Sequence, residues 1–118
     1  MFMIMLILND ADYCQEILDA WDAAGAPGVT VLASTGLGHI RSRQGLHDDL
    51  PLMPSLKDFL EQGENMHRTL ISIIQDRETV DRIIKATHDE LGDLNRPNTG
   101  ILVILPVLEA YGLNRYDQ

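Results

Sequence analysis

The sequence predicts a two-layer α+β fold, a four-stranded antiparallel sheet with two helices on one face. Three observations predict it. Four short segments are apolar or β-branched, and two longer ones carry apolar residues at helical spacing. Their order is strand, helix, strand, strand, helix, strand, with one long excursion in the middle. The 118 residues, 45% hydrophobic and 23% charged, are enough to bury a core, and residues 1–118 read as a single domain.

The first segment, "MFMIMLILND", has the apolarity of a signal peptide but no basic start, and its apolar run is only eight residues before Asn9-Asp10. It reads instead as a strand over Phe2 to Leu8, buried on both faces. Asp10 and Asp12 are N-cap candidates for a helix over residues 11–24. Cys14, Ile17, Leu18, Trp21 and Ala24 form its apolar stripe. Gly25 suits the left-handed stop, and Pro27 blocks continuation. Val29 to Ser34 is rich in β-branched residues and reads as the second strand.

From Gly36 to about residue 65 strand and helix signals weaken, over a length too great for a passive connection. Residues 39–50 lack periodicity and are expected to be mobile. Residues 55–62 should form a short helix, with Ser55 as cap, Leu56, Phe59 and Leu60 on one face, and Gly63 as stop. "RTLISIIQD" is the third strand, ending at Asp76. Asp76 caps the second helix, whose stripe is Val80, Ile83, Ile84, Thr87 and Leu91, with Gly92 as stop. "GDLNRPNTG", residues 92–100, is a loop, and "ILVILPV" is the fourth strand, closed by Pro106. This is the split β-α-β arrangement of a ferredoxin-like βαββαβ sandwich.

Charge narrows the function. A net charge of −9 argues against a general nucleic-acid binder and against docking on anionic lipid. No window approaches the roughly 18 apolar residues of a membrane span. The single cysteine, Cys14, excludes an internal disulfide and fits a cytoplasmic location. Cys14 lies in a core stripe, and no Ser-His-Asp set, carboxylate pair or Walker loop is present, so a non-enzyme is expected.

Gly36-Leu37-Gly38 opens the excursion. Two glycines about one residue make either a plain turn or a place where backbone N–H groups approach a phosphate. The second glycine-bearing loop, before the fourth strand, has the same two readings. Together with "D-x-x-x-V-D-x-I-I-K-A" over Asp76 to Ala86 and "T-G-I-L…P-V" over Thr99 to Val107, the order of these features resembles the nitrogen-regulatory PII and PII-like superfamily.

The resemblance implies a homotrimer that acts in signal transduction and nitrogen regulation. A small effector would sit in the cleft between subunits. The excursion, about residues 36–65, would be the T-loop that docks on a partner protein, a transporter or an enzyme. Residues 92–100 would be the phosphate-facing B-loop. The ligand-binding candidates are then Gly36, Leu37, Gly38, Arg41, Arg68, Arg96, Asn98, Thr99 and Gly100. The expected effector is an adenine nucleotide (AMP, ADP or ATP) or another small anion, and no other cofactor or metal is called for.

The departures from the family pattern are specific. Its members carry a lysine where this chain has Ile101, and two arginines where it has Gly112 and Asn114. No tyrosine lies between Gly36 and Asn65, so the usual modified residue is missing. With Arg96 the only basic residue of the B-loop, few phosphates are expected to be held.

Two other readings compete. His39 and His47 near Asp48 and Asp49 suggest a CutA-like trimer handling divalent metal, although their spacing fits no known metal motif. A small dimeric ferredoxin-like enzyme is the third reading. Met1, Met3 and Met5 read as strand filler, His88 as a surface residue, and His67 with Arg68 as either a surface pair or part of a cleft.

Overall fold

The computed structural model describes residues 1–35, 66–96 and 99–113. Strands β1 (Phe2–Leu8), β2 (Thr30–Thr35), β3 (Met66–Ile74) and β4 (Gly100–Pro106) alternate with helices α1 (Cys14–Ala24) and α2 (Arg77–Leu91) as the periodicity predicts. The sheet order is β2-β3-β1-β4 with every pair antiparallel. This is the ferredoxin-like topology. The excursion, including the short helix expected at 55–62, lies outside the described residues.

The helix boundaries follow from their caps. Asp10 Oδ1 accepts from Asp12 N at 2.9 Å and starts a 3-10 turn, Ala11–Tyr13, that leads into α1. Gly25 ends α1 at φ 107°, a left-handed conformation that a Cβ would strain. Its N–H and that of Ala26 reach back to Asp22 O and Trp21 O. At the other helix, Arg82 Nε donates to Ala24 O at 3.1 Å, which ties the first turns of α2 to the carbonyl end of α1.

Both helices pack on one face of the sheet. Ile4, Leu6, Leu8, Leu70 and Ile74 from the strands meet Ile17, Trp21, Val80 and Ile83 from the helices. Trp21 is fully buried, and its Nε1–H donates to Thr87 Oγ1 at 2.9 Å. Thr87 donates in turn to Ile83 O at 2.8 Å, so its hydroxyl, buried between the helices, both accepts and donates.

The expectation that β1 is buried on both faces is corrected. Ile4, Leu6 and Leu8 are buried, while Met3, Met5 and Ile7 are only half-buried. The reason is the layering, because the helices cover one face and the other carries no helix among the described residues. That outer face stays apolar, with Ile71, Ile73 and Val103 in register beside Met5 and Met3.

Asp76 caps α2, accepting from Thr79 N at 3.0 Å. The Thr79 backbone N–H and then its hydroxyl hold the Asp76 carboxyl below the ordinary aspartate value. A depressed folded-state pKa contributes stability above the unfolded value and loses it as pH falls through the folded value. Asp76→Asn keeps a neutral cap. The wild-type chain should therefore melt above this variant at neutral pH, with the gap closing below about pH 4. A gap that persists unchanged through acid titration would contradict the assignment.

Candidate functional site

The antiparallel order gathers four chain segments at one end of the sheet. β2 ends there at Thr35, directly before Gly36, and β3 begins there at Met66. β1 ends there at Leu8, and β4 begins there at Gly100. The register sets Ala33, Arg68, Leu8 and Gly100 in one row across the four strands. The root of the excursion and the loop before β4 thus share a sheet end but lie on opposite edges. At roughly 4.8 Å per strand, three spacings separate them by about 14 Å.

The loop before β4 is held by its own hydrogen bonds. Asp93 Oδ1 accepts from Asn95 N at 2.9 Å, an Asx turn. Thr99 Oγ1 lies 3.0 Å from Leu94 O and 2.9 Å from Arg96 O and donates to this carbonyl pair. The Arg96 guanidinium folds back onto the end of α2, donating from Nη2 to Leu91 O at 3.2 Å and from Nε to Asp93 O at 3.4 Å. A cation there also faces the negative end of the helix dipole. Arg96 has five N–H donors and three are outside these bonds.

Gly100 is required by its surroundings. At φ 153°, a Cβ would stand 2.6 Å from Ile7 O, a backbone atom of the neighbouring strand. Only a glycine lets β4 close on β1 at this end, where Asn9 N also reaches Thr99 O at 3.5 Å.

Arg68 is half-buried on the helix side of β3, with Nη1 donating to His67 O at 3.1 Å. His67 points to the other face and is buried, which corrects the reading of a strand-end surface pair. β3 is an interior strand flanked by β1 and β2, and a residue there is shielded from both sides. Next to it, Ser34 Oγ and Thr69 Oγ1 share a hydrogen bond of 3.0 Å. His88 is exposed, as expected.

Of the expected ligand residues, the structure brings Arg68, Arg96, Thr99 and Gly100 to the same sheet end. Gly36, Leu37, Gly38, Arg41 and Asn98 lie outside the described residues, as do His39 and His47. Among the described residues no group of three or more His, Cys, Asp or Glu is placed to hold a metal ion. Ile101, where the family pattern has a lysine, is an exposed apolar side chain.

A groove of about 480 Å³ runs beside this loop, beneath the open edge of β4. Ile84 and His88 line it from α2, Leu102 and Ile104 from β4, and Asp93 and Leu94 from the loop. The volume is in the range of small-molecule sites. The sequence reading did not single out this groove. The signal was the offset between Ile84 and His88, one helical turn apart, at the edge of a stripe that the core does not use up.

The family model described as "Nitrogen regulatory protein P-II" matches residues 1–115 of the chain. No curated protein matches it.

Proposed function

The chain belongs to the nitrogen regulatory protein P-II family, whose members are regulatory signalling proteins, and on that footing we propose that it binds a small effector between subunits of a homotrimer. One observation carries the reading. The root of the excursion and the glycine-bearing loop stand on opposite edges of one sheet end. An effector that touches both is best held where the β2 edge of one copy meets the β4 edge of another. The apolar outer face, with Met3, Met5, Ile7, Ile71, Ile73 and Val103, supports assembly, since a face of this kind needs cover.

The effector is an adenine nucleotide with few phosphates, or a similar small anion. Arg96 is the cation beside Gly100 and keeps three donors outside its bonds to α2. Arg68 stands in the row of Gly100 and adds a second positive charge at the same sheet end. The excursion, residues 36–65, contacts a partner protein, a transporter or an enzyme, and the chain itself catalyses nothing. It works in the cytoplasm. Among the described residues no helix is long and apolar enough to cross a membrane.

Two measurements test this. Light scattering should give three times the 13.2 kDa chain mass, and a monomer at micromolar concentration would overturn the assembly. Calorimetry should find AMP or ADP bound below millimolar, with ATP gaining little from its last phosphate. Arg96→Ala should weaken the nucleotide by about 1.5–3 kcal/mol, the scale of a hydrogen bond to a charged group. If no nucleotide binds below millimolar, the anion reading fails.

A further inference from the structure

Three of the chain's five methionines are Met1, Met3 and Met5. We propose that they form a binding site for one soft monovalent metal ion, copper(I) or silver(I), on the outer face of the sheet. The site is built by one strand of one chain and rests on neither the nucleotide reading nor the assembly.

Alternation puts the three thioethers on one face. Successive side chains of β1 point to opposite sides of the sheet, so Ile4, Leu6 and Leu8 enter the core while Met3 and Met5 face away from the helices. Val107 N donates to Met1 O at 3.1 Å, which carries the pairing and its alternation on to Met1. Neighbours in this row stand about 6.5–7 Å apart at the backbone. A methionine side chain has three rotatable bonds, so two adjacent sulfurs can close on one ion from that spacing. As filler, these methionines would take up gaps in the core. The core side of β1 is made by Ile4, Leu6 and Leu8, and Met3 and Met5 are half-buried opposite it.

The surroundings decide which ion fits. Met3 is flanked by Ile73 and Leu105, and Met5 by Ile71 and Val103. None of these four side chains offers an oxygen, a nitrogen or a thiolate, so calcium, magnesium and zinc find no ligand beside the sulfurs. His67, on the outer row of β3, stands four residues from Ile71, about 13 Å along the strand. Thioether sulfur is neutral and polarisable and selects copper(I), and by the same softness silver(I). A monovalent ion also brings one charge onto an apolar surface where a divalent ion brings two. The net charge of −9 raises the local concentration of any cation, and the methionine row supplies the selectivity.

The test uses the full chain carrying Cys14→Ser, which removes the one thiol that competes for silver, with carbon-13 in the methionine methyls. Silver(I) in chloride-free buffer should shift the methyls of Met1, Met3 and Met5 to saturation at no more than one ion per chain and leave Met53 and Met66 in place. Zinc(II) should shift none of the three. Met3→Leu nearly keeps the volume but removes the middle sulfur, and with it both adjacent pairs. It should weaken silver by about tenfold or more, and Met5→Leu, which leaves Met1 and Met3, should weaken it less. Absence of a saturable shift, shifts spread equally over all five methyls, or equal silver affinity in the parent and in Met3→Leu would each overturn the proposal. AMP titrated into the same samples keeps the two readings apart. Silver binding without AMP binding upholds this site while the nucleotide reading falls, and AMP binding without silver binding removes this site alone.

Discussion

Trp21→Ala is expected to destabilise the chain by about 3–5 kcal/mol, the usual cost of removing a buried aromatic side chain. Trp21 is fully buried between the helices and the sheet, so truncation leaves a cavity that neighbours fill only in part. It also takes away the donor to Thr87 Oγ1. For a domain whose total stability is of order 5–15 kcal/mol, this is a large fraction. Thr87→Val separates the two contributions. It keeps the shape but leaves the indole N–H buried without an acceptor, at a cost of about 1–3 kcal/mol. Urea unfolding at fixed protein concentration measures both. A Trp21→Ala loss below that of Thr87→Val would mean that packing at the helix pair is slack.

The second large effect is expected at Gly100. Gly100→Ala places a methyl 2.6 Å from Ile7 O, and a backbone atom inside a sheet cannot step aside cheaply. Strain at φ 153° costs about 1–3 kcal/mol and the crowding about as much again. The start of β4 should part from β1, so hydrogen exchange should quicken at Asn9 and Ile101 while the α1 amides stay protected. The loop that carries Arg96 and Thr99 moves with it, and nucleotide affinity should fall as well. Unchanged exchange at Asn9 would show that the two strands tolerate the methyl.

The sequence was legible wherever periodicity or a cap declares itself. The stripes of α1 and α2, Gly25 and Asp76 stand where their residue types place them. Thr87 was read as a member of an apolar stripe, yet its bond to Trp21 joins residues 66 apart, which no local pattern reveals. The burial of His67 depends on β3 lying inside the sheet, a fact of strand order and not of neighbouring residues. Arg96 was read as a phosphate cation. Its bonds to Leu91 O and Asp93 O add a helix-capping role, for which the signal was an arginine just past the end of a helix. Gly100 was read as a place of close ligand approach, and the nearest atom to its missing Cβ is Ile7 O.

The strand order has a consequence for the newborn chain. β1 is central and among the most apolar segments, but it pairs only with β3 and β4. Leu8 must wait for Arg68 and then for Gly100. At about 5–20 residues per second, translation leaves "FMIMLIL" without either partner for several seconds. Pairings across such long stretches of chain also form slowly after release, because the loop they close is large. During that interval the strand is a sticky, unpaired ribbon. Yield in cells should therefore depend on how fast the ribosome reaches β4, and slowing translation between β1 and β4 should lower it.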